Sequence, residues 1–441
     1  MKARLIPLFF DPGRDADFDR QLNCLKELFP DEAEFLNPLA LGSPLPEAEA
    51  VIFPQLLGTA YRQVSYFKDI KLPLLAATSE FGTCSMWDWE IAEYLRGEGI
   101  AMLLPYHAEQ TQILLRALRV KRELKQAKFL VFQDNPGEGF QPEIFNRFYW
   151  WEEECTQRMQ EKFGVVIVRQ SFAELATRAK EMTHEQASHV WQRWQNRLQT
   201  AGIANTALTS AIKLYLALEQ EIENDETIAA AGINCLNESH FSDTTPCLAW
   251  SMLFEERKLI WGCEADTLAM LTKVLVHRTL GTPVMMTNLY PFPMGQAALK
   301  HEHIPEFPAT DEPENHILVA HCGYLGILPP SFATEWTLRP KVLAIVDENA
   351  TAVDARLPEG AVTLVKLGSG MDKLSVVEGN LEGYVQYHGS HCLNGGVIRI
   401  PNGDRLMHEL VSHHYILASG HIRSELTWLA KAFDLQVEVI A

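Results

Sequence analysis

Residues 259–290 read LIWGCEADTLAMLTKVLVHRTLGTPVMMTNLY, and the order of apolar and polar positions here decides the fold class. Residues 259–263 are a short apolar run of strand type. Asp266 stands where a helix N-cap belongs, 267–278 repeat apolar residues at helical spacing, Gly281 ends the helix, and 283–287 form a second apolar run. Strand, helix and strand in this order read as one βαβ crossover. Ligands of open α/β sheets bind outside the carboxyl ends of the strands. Glu264 and Asn288, one after each strand, are therefore expected on the same sheet edge, with Asp266 as a helix cap.

The same alternation extends outward. In the first 125 residues, strand-like runs at 2–10, 49–55, 72–78 and 100–104 alternate with helical patterns at 18–28 and 89–97, which indicates a mostly parallel sheet. A basic amphipathic helix at 111–126 leads into a second unit with apolar runs at 127–132, 163–168, 228–235 and 259–263 and long helical stretches between 171 and 225. Residues 301–314 (HEHIPEFPATDEPE) are acidic and proline-bearing, as linkers often are. Beyond them the runs are short and punctuated by Gly, Pro and Asn: ILVAHCG, KVLAIVD, AVTLVKLG, KLSVVEGN, EGYVQYHG, GVIRIPNG. Such spacing suggests a closed or sandwiched antiparallel sheet. The expectation is an α/β protein: an N-terminal α/β domain (1–125), a second open parallel-sheet domain carrying Glu264 (126–295), and a β-rich, barrel-like C-terminal domain carrying His414 (296–441).

Composition narrows the function classes. Of 441 residues, 47% are hydrophobic and 22% charged, and 57 acidic against 38 basic residues give a formal charge of −19. Without a Lys/Arg block to neutralise phosphates, this balance disfavours nucleic-acid binding. No apolar run approaches the roughly 18–20 residues of a membrane helix. The start, MKARLIPLFFDPGRD, reads as a first strand and not as a signal peptide. Eight scattered cysteines without CxxC pairs read as free thiols, so a cytoplasmic protein is expected. Neither GxGxxG nor GxxxxGK[ST] occurs, so there is no nucleotide fingerprint.

Two further segments carry candidate chemistry. The loop 234–249, NCLNESHFSDTTPCLA, offers Asn237, Glu238 and Asp243 among other donors and acceptors, a surface suited to a hydroxyl-rich ligand. Near the C-terminus, VSHHYILASGHIRSELTWL holds His413 and His414. Adjacent strand residues point to opposite faces, so only one of the two can enter a site.

These stretches resemble the superfamily of L-fucose isomerase and L-arabinose isomerase, metal-dependent aldose–ketose isomerases. The resemblance lies in PLLAATSEFGTCSMWDWEIAEYLRGEGI, in the Cys- and Pro-bearing loop preceding an E-x-D motif (GCEAD), and in the histidine of VSHHYILASGHIRSEL. It implies two α/β domains followed by a β-rich domain, a divalent metal, Mn²⁺ by ligand softness, a sugar substrate, and a homo-oligomer such as a trimer or hexamer. It places Glu264 at the family's first metal-binding catalytic carboxylate, His414 at its C-terminal metal-binding histidine, and His321 at an extra histidine of the arabinose branch. Asn288 falls where a second carboxylate belongs. An amide offers a carbonyl oxygen to a hard cation but cannot act as a base. Either a nearby acid (Glu238, Asp243 or Asp266) substitutes, or the chain is a sugar-binding pseudoenzyme, or it is a lyase or epimerase using the same enediolate chemistry.

Overall fold

In the computed structural model, residues 1–135, 148–292, 310–387 and 390–440 are described, and most of the stretch 301–314 lies outside them. The chain forms two compact units. The first comprises Met1–Lys125, Arg278–Leu280 and Ser424–Gln436. Its apolar runs become the strands β1 (Ala3–Phe9), β2 (Ala33–Phe35), β3 (Leu39–Ala40), β4 (Ala50–Phe53), β5 (Leu74–Ala76) and β6 (Met102–Leu103). They pair in parallel in the order β2-β1-β4-β5-β6, with β3 on the end of β1. Leu5, Ile6, Val51, Phe53 and Leu75 are buried on this sheet, and the near-continuous burial of the central strands is what cover on both faces requires.

The second unit comprises Gln126–His277, Gly281–Arg423 and Val437–Ala441. It opens with a parallel sheet of β7 (Lys128–Phe132), β8 (Val166–Gln170), β9 (Ile228–Ile233) and β10 (Ile260–Cys263), ordered β10-β9-β7-β8. The C-terminal half supplies β11 (Val284–Pro291), β12 (His316–Ala320), β13 (Glu335–Pro340), β14 (Thr351–Arg356), β15 (Gly360–Leu367), β16 (Lys373–Val385), β17 (Gly395–Arg399), β18 (His414–Ser419) and β19 (Gln436–Val439). Six of these close into an antiparallel barrel, β15-β18-β11-β12-β17-β16, sealed by the β15–β16 pairing, while β13 and β14 form a separate ribbon. No helix among the described residues is long and apolar enough to cross a membrane.

Three readings of individual runs are corrected. The strand β11 does not complete a parallel crossover beside β10. It pairs antiparallel with β12 and β18 inside the barrel, and β10 is an edge of the parallel sheet. A strand buried on both faces shows the same unbroken apolar run in either sheet. The intervening helix, Thr267–Leu280, is apolar nearly all round because it is covered on several sides. Met270 packs where a Cβ on Gly262 would lie only 2.6 Å from its Cγ, and Thr272 Oγ1 accepts the Leu367 N–H of β15. The run KVLAIVD is a folded-back loop, closed by Lys341 Nζ donating to the Val346 carbonyl at 2.7 Å. The true strand there is EWTLRP, β13. KLSVVEGN and the EGYV of the next run belong to one long strand, β16, which ends at Val385, and the last two residues of EGYVQYHG lie outside the described residues.

Candidate metal centre

Two turns and the start of one strand in the second unit bring the site together. After β10 the chain passes through Glu264 (φ 51°) and Ala265 (φ 49°), two successive non-glycine residues in the left-handed region. Each such residue costs on the order of 1 kcal/mol or more and persists only where its surroundings fix it. Here the Ala265 N–H donates to Ile233 O and Trp151 Nε1–H donates to Glu264 O, both at 2.9 Å. After β12, His321 opens a tight turn through Cys322 (φ 54°) and Gly323 (φ 89°), closed by the His321 N–H donating to Tyr324 O at 2.7 Å. His414 is the first residue of β18.

These elements place Glu264 Oε1 3.6 Å from His321 Nε2 and 3.8 Å from His414 Nε2. The three ligand atoms all lie within 4.8 Å of one another, and among the described residues no other group of three His, Cys, Asp or Glu does so. Ligand atoms sharing an ion at about 2.1 Å lie roughly 3.0–3.4 Å apart, so a small contraction closes the cluster. Both imidazoles are buried, and the Glu264 side chain keeps 13% of its surface. His321 Nε2 and His414 Nε2 have no hydrogen-bond partner. A buried polar atom left unpaired costs about 1–3 kcal/mol. With both nitrogens facing one carboxylate, the Glu/His/His cluster is one that could hold a metal ion.

The electrostatics favour ligand-competent forms of the histidines. Burial works against the Asp266 charge, but the Lys366 ammonium at 2.9 Å and the His414 ring at 3.0 Å outweigh it and hold the carboxyl well below the usual carboxylate range. An ionised Asp266 only accepts, so His414 Nδ1 carries the proton and Nε2 keeps its lone pair. Burial, with His413 nearby, holds His414 neutral, and burial brings His321 down to about 3. Burial, then the Asp266 charge, pushes Glu264 up to about 7. Trp150 covers this corner, its ring 5.2 Å from that of His414.

Of the residues singled out from the sequence, Glu264 and His414 meet in the cluster. Asn288 lies directly opposite His414 in the β11–β18 pairing, so both side chains leave the same face of the sheet. Its Nδ2 donates to Tyr290 Oη, and its Oδ1 is buried without a hydrogen-bond partner. His413 is not part of the three-ligand cluster, but its ring lies 4.1 Å from that of His414 and packs at a tilt beside Phe148 and Trp150. The buried Asn237 has no hydrogen-bond partner for either amide atom. Glu238 is already engaged: its carboxylate accepts the main-chain N–H groups of Asp134 and Asn135 and the amide of Asn234. Asp243 accepts from Ser210 Oγ at 2.9 Å. Asp266 both caps its helix, accepting the Ala269 N–H at 2.7 Å, and orients His414.

Residue-level reading of the sequence missed Lys366 and Trp150, and it gave His321, at the end of the apolar run ILVAH, a weaker claim than His414, with the resemblance adding the link to the arabinose branch. An apolar run ending in His-Cys-Gly signals a turn, but not where that turn points. No protein-family model matches this chain, and no curated protein matches it.

Proposed function

We propose that this chain is a metal-dependent aldose–ketose isomerase of the fucose/arabinose isomerase type, using Mn²⁺ and acting on a sugar or sugar derivative. The observation that carries the reading is the Glu264–His321–His414 cluster, with two buried imidazole nitrogens facing a carboxylate and lacking any hydrogen-bond partner. Glu264, His321 and His414 would hold the cation, and Asn288 Oδ1 beside His414 offers a further oxygen. Bound there, a divalent ion would polarise adjacent sugar oxygens and stabilise enediolate charge. Oxygen donors from Asn288 and the sugar favour Mn²⁺. Two imidazoles with one carboxylate also suit Fe²⁺, so both belong in the test.

Moving a carbonyl between C1 and C2 requires a proton taken from one carbon and delivered to the other. Asn288 cannot perform that transfer. The nearby acids have other work: Asp266 is tied to Lys366, His414 and the helix cap, Glu238 holds main-chain N–H groups, and Asp243 holds Ser210. Glu264 is left as the proton-transfer group. The unpartnered amide of Asn237 and the unpartnered Asn234 Oδ1, in the loop after β9, suit sugar hydroxyls. Asn237, Glu238 and Asp243 of this loop remain the proposed substrate contacts, with the unpartnered Asn237 amide first among them.

Asn288 also favours a second reading, a sugar-binding protein that has lost turnover. Metal-stripped protein assayed against an aldose panel, alone and with Mn²⁺, Mg²⁺, Co²⁺, Zn²⁺ or Fe²⁺, separates the two. Metal-restored ketose formation is expected under the isomerase reading. Sugar binding without turnover for any metal would favour the second, and a product other than the ketose would indicate a lyase or epimerase. We further propose a homo-oligomer, trimer or hexamer, in the cytoplasm, where eight unpaired cysteines are at home.

A further inference from the structure

We propose that Cys322 is the positioning residue that sets the tautomer of His321, as Asp266 does for His414. The proposal rests on the metal-centre reading above. An imidazole that coordinates through one nitrogen carries its proton on the other, and that N–H needs an acceptor that also fixes the ring. For His414 the acceptor is Asp266 Oδ2 at 3.0 Å. For His321 the atom in that position is Cys322 Sγ, 3.0 Å from Nδ1. With Nδ1–H directed at the sulfur, Nε2 turns its lone pair toward Glu264 Oε1, 3.6 Å away.

The backbone is shaped for this contact. Cys322 has φ 54°, a conformation uncommon outside glycine and asparagine, and it lets the side chain fold back onto the ring of the preceding residue. Gly323 follows at φ 89°, and a Cβ there would lie 2.5 Å from Val342 Cβ, so the turn is packed down onto the 341–347 loop. Beyond the sulfur lies a small cavity of about 20 Å³, walled in part by Cys235, Cys247, Cys263, Ile327 and Val346, and no carboxylate lines it. Its polar lining is Lys341, bonded to the Val346 carbonyl, and the hydroxyls of Thr245 and Thr351, the first already paired with the Thr351 main chain, whereas the atom within hydrogen-bond distance of His321 Nδ1 is the Cys322 sulfur. The two histidines thus differ: a carboxylate backs one and a thiol backs the other, so the affinity of the centre depends on a single sulfur.

Cys322→Gly and Cys322→Ser test this, with Mn²⁺ alone as the probe, measured by calorimetry on metal-stripped full-length protein. Glycine relieves the left-handed backbone while removing the acceptor. Cys322→Gly is therefore expected to lower Mn²⁺ affinity about 10–100-fold, the range seen when a ligand's hydrogen-bond partner is lost, with no fall in Tm. Cys322→Ser keeps an acceptor and should stay within about threefold of the parent. In the Zn²⁺-loaded parent, ¹⁵N spectra of histidine-labelled protein should show His321 protonated at Nδ1. Parent-like Mn²⁺ affinity in Cys322→Gly, equal losses in the Gly and Ser variants, or coordination through Nδ1 would overturn the proposal while leaving the metal centre standing. A parent that binds no divalent ion would overturn both.

Discussion

Asp266 divides one carboxylate among three donors: the Ala269 N–H on Oδ1, and Lys366 and His414 on Oδ2. Replacing it with Asn leaves the fully buried Lys366 without its counter-charge, a change that typically costs about 3–5 kcal/mol. Asp266→Asn is therefore expected to lose Tm and Mn²⁺ affinity together, measured by calorimetry. Glu264→Gln should instead keep Tm while losing turnover by about 10²–10⁴-fold, the usual contribution of a proton-transfer group. Asn288→Asp restores a carboxylate beside His414 and should tighten Mn²⁺ binding, and unchanged affinity would remove Asn288 from the site. Lys273 gives the pH prediction. It is fully buried, its Nζ lies 3.9 Å from the centre of the Trp261 ring with no hydrogen-bond partner, and burial brings it down to about 7. Among the charged groups near it, Asp266 and an ionised Cys263 would raise it and Lys366 lowers it further. Its folded value lies below the unfolded value of about 10.4, so protonation favours the unfolded chain. Stability should fall as pH drops from about 10 to about 7 and then level off. Lys273→Met should be more stable by about 1–3 kcal/mol near neutrality. In urea melts that advantage should shrink above pH 10, and a pH-independent difference would contradict the assignment.

The helix Thr267–Leu280 shows how much of an element can be read locally. Its Asp266 cap, its periodicity and its Gly281 terminus at φ 71° all follow from residue type. Its destination does not. The 283–288 run is apolar because both faces of β11 are covered, and a barrel covers them as well as a parallel sheet would, so the partner strands were illegible. The site shows the same division. Glu264 was legible because it follows a strand at a carboxyl edge, whereas the approach of His321 depends on a left-handed Cys322 that no periodicity announces. The pairing of Asn288 with His414 is a matter of register between strands more than 120 positions apart. Close contact between this helix and β10 is carried by Gly262. Gly262→Ala should destabilise the second unit by about 1–3 kcal/mol through overpacking against Met270, measured by chemical denaturation.

At the scale of the whole molecule, the first unit exposes Phe81, Met86, Trp87 and Tyr106 on loops after β5 and β6, tied together by the Cys84 N–H donating to Pro105 O. Exposed apolar residues gathered on neighbouring loops mark a surface for association. Light scattering is therefore expected to give a trimer or hexamer that Trp87→Glu weakens, and a stable monomer would count against it. The most direct measurement of the central claim is a Mn²⁺ titration of the metal-stripped chain by electron paramagnetic resonance, run beside His321→Ala and His414→Ala. One bound ion per chain in the parent, lost in both variants while their circular dichroism is unchanged, is the predicted result. Equal binding in the parent and both variants, or none in the parent, would contradict a centre built from Glu264, His321 and His414.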